Sequence, residues 1–255
     1  MPFVSVTVPE AQPFRWTGGA PACLLIHGLT STPFEVRPVG EALHAAGFHA
    51  ESFWLPGHGS KPEALRHVTW RDWSAAVEAQ YDRMRRDHGS VAVLGTSLGG
   101  SLALWLGITR RPAAIVSMGG AVWLPRVAAL ARPISWIRPF QQKRAQGSAI
   151  FDDEARARHP SYPKTSMHAV AEMRSLVGQI KGKLAAITAP LLVMHARQDS
   201  VIPPENARYI MAHVRSTQKE LLWLEKSDHI ITEDYDRDLV SDTAVQWIER
   251  IAASE

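Results

Sequence analysis

Val91-Ala92-Val93-Leu94-Gly95-Thr96-Ser97-Leu98-Gly99-Gly100 is the stretch that decides the fold. Four small apolar residues in a row suit a strand buried on both faces. Gly95 and Gly99 bracket Ser97 as G-x-S-x-G, and a helical pattern follows over 98–109. A serine at such an apex sits in a strained backbone, and only residues without a bulky side chain fit two positions before and after it. The turn lifts the hydroxyl above a sheet and onto the positive end of the next helix. Chance also makes a bare G-x-S-x-G, and a serine there can simply cap a helix. The strand before it and the helix after it supply the context that a nucleophile needs.

Working outward, strands and helices alternate. Residues 2–9 read as a first strand, and 14–19 as the end of a second strand or a turn. A buried strand at 22–26 leads into the loop His27-Gly28-Leu29-Thr30-Ser31-Thr32-Pro33. A helix is expected over 34–46, a strand over 48–54, and a helix over 70–87 with Trp73, Val77, Tyr81 and Met84 as its buried stripe. After the serine turn come a strand at 114–118, a helix at 166–180, a strand at 191–195, a helix at 204–213 and a strand at 220–224. A last helix near 238–252 is expected to bury Leu239, Ala244, Trp247 and Ile248. Such alternation predicts an α/β fold: a mostly parallel sheet covered by helices on both faces. Residues 121–170 mix Pro, Arg and Trp with no clear strand, so they read as an inserted helical cap. The core is then 1–120 and 171–255.

The chain of 255 residues suffices for one large α/β domain. No Gly/Ser- or Pro-rich linker divides it. No basic-then-apolar leader pattern opens it, and Arg126, Arg132, Pro125 and Pro133 interrupt its most apolar later stretch, which argues against a membrane span. A single cysteine, Cys23, excludes an internal disulfide, and a cytoplasmic location follows by default. Between Gly120 and Val170 there are eight Lys/Arg against three acids. That basic segment reads as a solvated face, or as one that draws in anionic substrates or touches a lipid surface transiently. Nucleic-acid binding has no motif behind it, nor does nucleotide chemistry, and no metal-ligand spacing is present, so no cofactor is expected.

A serine nucleophile needs a base, and the base needs an orienting acid. In an open parallel sheet these groups come from loops at the carboxyl ends of strands. Two loops qualify: Ala196-Arg197-Gln198-Asp199-Ser200 and Glu225-Lys226-Ser227-Asp228-His229-Ile230. The order Ser97, Asp199, His229 is the one expected for a serine elbow on such a sheet. Asp228 neighbours His229 in sequence, and adjacent side chains diverge, so Asp199 is preferred. His27 and His58 read as loop-shaping residues, His195 as packed, and the remaining histidines lack motif support. The oxyanion needs backbone N–H donors, for which Leu98 and Leu29 are the candidates.

Together the motifs at 24–30, Leu55-Pro56-Gly57-His58-Gly59, 95–100, 196–204 and 227–232 resemble the bacterial carboxylesterase and monoacylglycerol lipase branch of the α/β-hydrolases. The resemblance implies the α/β-hydrolase fold, the triad Ser97–Asp199–His229, the oxyanion donors Leu29 and Leu98, and a cap over an acyl pocket. Leu29 stands where this branch usually carries Phe, which a main-chain donor tolerates. The branch's glycerol-holding cap glutamate precedes a stretch matched here by Tyr162-Pro163-Lys164-Thr165. Near that position this chain has His159, with Glu154 further off.

The expected activity is hydrolysis of apolar acyl esters, from short- and medium-chain esters to monoacylglycerols, through an acyl-enzyme. Leu29, Leu98, Trp123, Leu124, Ile134, Trp136 and Ile137 are the candidate acyl lining. Two alternatives stay open: a thioesterase acting on an anionic acyl carrier such as acyl-CoA, and a non-hydrolytic small-ligand binder on the same fold.

Overall fold

A computed structural model describes residues 4–143 and 149–254. The expected strand residues Pro2 and Phe3, and Arg144 of the basic segment, lie outside them. In chain order the strands of the main sheet are β1 (Phe14–Trp16), β2 (Gly19–Ile26), β3 (Phe48–Ser52), β4 (Val91–Thr96) and β5 (Ile115–Met118). A separate pair follows, β6 (Phe140–Gln142) and β7 (Lys164–Ser166). The main sheet ends with β8 (Leu191–Ala196) and β9 (Lys219–Leu224). Its order is β1-β3-β2-β4-β5-β8-β9. Only the β1–β3 pairing at the edge is antiparallel.

The helices are α1 (Arg37–Ala45), α2 (Trp70–His88), α3 (Leu98–Thr109), α4 (Ala131–Ile137), α5 (Asp153–Arg158), α6 (Met167–Lys181), α7 (Glu205–His213) and α8 (Arg237–Ala252). Side chains along a strand alternate between faces, and β2 divides the core accordingly. Ala22, Leu24 and Ile26 pack in the cluster that holds Trp73 and Val77 of α2, Leu102 of α3 and Leu176 of α6. Cys23 and Leu25 pack in the other cluster, with Val39 and Leu43 of α1 and Trp247 and Ile248 of α8. Helices therefore cover both faces, as the α/β reading requires. Trp73, Val77, Tyr81 and Met84 are all buried along α2. This helix starts on a capping box, in which Thr69 Oγ accepts the Asp72 N–H and the Asp72 carboxylate accepts the Thr69 N–H.

Three expectations are corrected. The described part of 2–9 is not a strand: Val4 makes one isolated bridge to Pro160, and a tight turn occupies Pro9–Ala11. A strand needs a free edge, and β1 already takes the edge beside β3. The Arg37 guanidinium instead binds the carbonyls of Glu10 and Gln12 and pins the segment against α1. Leu239 is 48% exposed and Val240 is buried in its place. Positions 240, 244, 247, 248 and 251 share one helical face, and 239 lies about 100° round from it. The segment 121–170, expected to lack strands, contains the antiparallel ribbon of β6 and β7. Each strand is three residues long, too short to carry a period, and the partner lies over twenty residues away.

Candidate active site

The serine turn takes the strained form that its glycines imply. Ser97 has φ 53° and ψ −115°, a left-handed backbone that residues with a side chain rarely adopt. A Cβ on Gly95 would stand 2.3 Å from the Gly99 carbonyl carbon, and one on Gly99 would stand 1.9 Å from the Ile26 carbonyl oxygen. The two glycines let β4 and α3 close on each other and on the end of β2, which holds Ser97 above the sheet.

Ser97 Oγ lies 2.8 Å from His229 Nε2, and His229 Nδ1 lies 2.8 Å from Asp199 Oδ2. The three side chains singled out in the sequence thus form one hydrogen-bonded line, from the ends of β4, β8 and β9. Asp199 Oδ1 accepts the N–H groups of Val201 and Ile202 at 2.9 and 2.7 Å. These bonds fix the carboxylate plane. Burial works against its charge, but His229 and His195 outweigh burial and hold the carboxyl well below the usual carboxylate range. Burial likewise opposes a charged His229, and Asp199 reverses the effect, so the imidazole sits above its ordinary value. Asp228 turns away, as divergence of neighbouring side chains demands, and binds the Ser200 N–H and hydroxyl.

His195, read from the sequence as merely packed, does more. Its Nε2 lies 3.1 Å from both the Ile202 carbonyl and Asp199 Oδ2. It donates to the same carboxylate oxygen, Oδ2, that His229 binds. No motif marks it, because its contact arises from its place at the end of β8.

The loop expected to hold an oxyanion follows β2. The backbone N–H groups of Leu29 and Leu98 have no hydrogen-bond partner among the described residues. Leu29 lines the cavity and Leu98 opens α3. His27 and His58 shape the loop, as expected. His27 Nδ1–H donates to the Gly28 carbonyl and Nε2 accepts the Leu55 N–H. His58 Nε2 accepts the Thr30 N–H at 3.1 Å. Burial first, and the neighbouring His58, keep His27 neutral with a value well below the ordinary one; burial pushes His58 down to about 4.

Ser97 and His229 open on a cavity of about 350 Å³. Its apolar lining is Leu124, Val127, Ala128, Val170, Met173, Val201, Ile202 and Ile230, and its polar lining includes Thr30, Ser31, Glu35, Lys143, His159 and Thr165. Of the seven residues named for the acyl lining, Leu29 and Leu124 are there. Trp123 packs edge-on against Tyr209 with the Lys181 ammonium over its ring. Ile134, Trp136 and Ile137 sit on α4, whose buried face is Ala131, so Trp136 and Ile137 are 87% and 85% exposed. Their apolarity serves an outer surface.

Three wall residues escaped the sequence reading as site members. His159, near the expected cap glutamate, is buried and pairs through Nδ1 with Glu233 at 2.8 Å. Lys143 Nζ donates to Thr30 Oγ1, and burial lowers its ammonium to about 8. Glu35 is 1% exposed and accepts the Gly28 N–H. Its distance of seven residues from Gly28 follows no motif, so only the folded loop reveals it. Among the described residues no group of three His, Cys, Asp or Glu is arranged to hold a metal ion.

Residues 20–236 match the family model Hydrolase_4, described as "Serine aminopeptidase, S33". The chain belongs to this α/β-hydrolase family. It is 32% identical to the "Thermostable monoacylglycerol lipase" of Bacillus sp. (strain H-257) over 251 residues, 95% of this chain and 96% of that protein. It is 30% identical to the "Carboxylesterase" of Bacillus subtilis (strain 168), over 96% of this chain and 98% of that one. A solved structure from work on two metagenome-derived lipolytic enzymes, LipS and LipT, superimposes with a TM-score of 0.89 at 27% identity, over 96% of this chain and 99% of that chain. The resemblance carried by the motifs is thereby borne out: the chain falls in the bacterial carboxylesterase and monoacylglycerol lipase branch.

Proposed function

We propose that this chain is a serine carboxylic-ester hydrolase for apolar acyl esters, monoacylglycerols among them. The observation that carries the reading is the hydrogen-bonded line from Ser97 through His229 to Asp199, opening on a cavity whose lining is largely apolar with a few polar side chains. An acyl chain packs on the apolar lining, Leu124 and Met173 among it. The alcohol lies against Ser31, His159 and Thr165, a surface suited to a hydroxylated leaving group.

The Ser97 Oγ proton passes to His229 Nε2 as Oγ attacks the carbonyl carbon. The carbonyl oxygen becomes an oxyanion held by the Leu29 and Leu98 N–H groups. Collapse breaks the ester bond, and the proton on His229 leaves with the alcohol. Water then gives a proton to His229 and attacks the acyl-enzyme. Release of the acid returns a proton to Ser97. Asp199 keeps Nδ1 protonated and stabilises the imidazolium at each step.

The names of the similar Bacillus proteins support an oxygen ester over an acyl-CoA thioester. We place the protein in the cytoplasm, in keeping with a lone, buried cysteine whose thiol burial pushes up. No helix among the described residues is long and apolar enough to cross a membrane. A transient lipid contact is assigned to the cap, where Val127, Leu130, Trp136 and Ile137 are exposed beside Arg126, Arg132 and Arg138.

Ser97→Ala tests the mechanism on a panel of p-nitrophenyl esters from acetate to palmitate and on monoacylglycerols. The variant keeps its fold by circular dichroism and loses kcat by about 10⁴-fold or more. Residual turnover near wild type would remove the serine mechanism.

A further inference from the structure

We propose that Glu35 is the positioning residue of the oxyanion hole; the inference rests on the ester-hydrolase reading above. Glu35 lies in the short turn Pro33–Val36 that follows the oxyanion loop. One carboxylate oxygen, Oε2, accepts both the Gly28 N–H at 2.5 Å and the Thr96 hydroxyl at 3.0 Å. Gly28 immediately precedes Leu29, and Thr96 immediately precedes Ser97 and Leu98. A single atom therefore joins the two chain segments that carry the nucleophile and both N–H donors.

Geometry makes the joint tight. A Cβ on Gly28 would meet Glu35 Oε2 at 2.8 Å and Ser97 Cβ at 3.3 Å, so carboxylate, loop and nucleophile crowd about one point. The Glu35 bond fixes the His27–Gly28 peptide, and the next peptide, which presents the Leu29 N–H, is held through its carbonyl by His27 Nδ1–H at 2.9 Å and the Ser31 N–H at 3.4 Å. The next residue shows that the loop is held against its own preference. Thr30 has φ 65°, a backbone disfavoured for a β-branched residue. Three groups hold it there: His58 takes its N–H, the Tyr162 N–H takes its carbonyl, and Lys143 takes its hydroxyl. Such conformations persist where the surroundings over-determine them.

Stabilising the fold does not explain Glu35. It has no ion pair among the described residues, and a buried carboxylate without one is costly. Burial also raises its carboxyl above the usual range. Both the ionised and the neutral acid keep Oε2 as acceptor, so glutamine should serve nearly as well. What the position needs is an acceptor oxygen at that reach. The function is geometric: an N–H donor aimed at where charge develops works only if it is fixed beforehand.

The test uses Glu35→Gln, Glu35→Ala and Glu35→Asp in the full chain. For each, kcat and KM are measured on p-nitrophenyl butyrate. Inhibition is measured with an alkyl trifluoromethyl ketone and with the matching alkyl ether. The ketone adds Ser97: the Oγ–C bond forms, the carbonyl π pair becomes the oxyanion, and the Ser97 proton goes to His229. The ether binds the same cavity without adding. Glu35→Ala is expected to lower kcat by about 10- to 100-fold with KM within about twofold, and ketone affinity by the same factor, with ether affinity unchanged. Glu35→Gln should stay within about threefold of wild type in all four.

The proposal is overturned by a Glu35→Ala enzyme with kcat within about threefold of wild type, or by ketone affinity that holds while kcat falls. It is overturned equally if ether and ketone weaken together, or if Glu35→Gln is as impaired as Glu35→Ala. Should Glu35→Ala not fold, Glu35→Asp withdraws the oxygen by one methylene and must show the same split. Failure of all three to fold would assign Glu35 to the fold instead. Ser97→Ala separates the two readings. Activity in that variant sinks the hydrolase reading itself, whereas an inactive Ser97→Ala beside an unimpaired Glu35→Ala sinks only this one.

Discussion

Ser97, His229 and Asp199 owe their relation to atoms that the sequence does not bring near one another. Asp199 is held on both sides, by two backbone N–H groups on Oδ1 and by His195 and His229 on Oδ2. Asp199→Asn keeps an oxygen for the backbone donors but turns an amide N–H toward two imidazole nitrogens. His229 is then driven to the wrong tautomer, and kcat should fall about 10⁴-fold while the thermal midpoint shifts by only a few degrees. Wild-type activity in a correctly folded Asp199→Asn would refute the assignment of the acid. The pH dependence follows from the same pair. In the proposed mechanism the free enzyme works with His229 unprotonated, and Asp199 raises the imidazole above its ordinary value. The rising limb of kcat/KM is therefore expected above pH 6.5, with activity lost as pH falls through it. A limb centred below pH 6 would contradict the Asp199–His229 coupling. Ser97 and its glycines were legible in the sequence because steric demand at an elbow leaves a local pattern. His195 and Glu35 were not, because their partners lie in space and not at a fixed spacing.

At the scale of elements, long periodic segments were read well. The apolar period of α2 and the small-residue run of β4 each extend over enough positions to reveal their state, and both match their expected spans closely. The segment 121–170 was read poorly. Its elements are six or seven residues or fewer up to α6, and each is defined by what it meets. Helix α4 is tied down by Arg132 to Glu172 of α6 at 2.8 Å, which aims Ala131 inward and leaves Trp136 and Ile137 outward. An indole and a sec-butyl group in water, with Arg126 and Arg138 nearby in sequence, underlie the lipid contact proposed for α4. The double variant Trp136→Ser/Ile137→Ser is expected to weaken sedimentation with vesicles containing one-third phosphatidylglycerol by about tenfold or more. Hydrolysis of soluble p-nitrophenyl acetate should remain within about twofold, since neither side chain lines the cavity. Unchanged vesicle binding would reject this role for α4.

Across the whole molecule, the site gathers at the carboxyl edge of the sheet, and neutral buried histidines lock its loops. His58 sits on the loop after β3 yet binds the loop after β2, with its ring 4.9 Å from that of His27. Burial depresses His58 to about 4, against about 6.5 in the unfolded chain. The unfolded state therefore takes up a proton that the native state refuses as pH falls below about 6.5, and stability drains away until about pH 4. On the order of 3 kcal/mol is at stake at this one ring. His58→Gln removes that proton linkage and keeps an acceptor for Thr30. It should be less stable than wild type at pH 7 by about 1–2 kcal/mol, and the gap should close or reverse by pH 4 in urea titrations. A gap that stays constant with pH would mean that His58 is not neutral in the fold. The sequence by itself determined the layered α/β architecture, the serine elbow and the order Ser97, Asp199, His229. Those depend on local sterics and on periods of two and 3.6 residues that recur along the chain. Only the tertiary structure decided which side chains line the cavity, which apolar residues of 121–170 face water, and how one Glu35 oxygen joins the two loops. Such relations depend on groups distant in sequence meeting at one place, and no spacing encodes them.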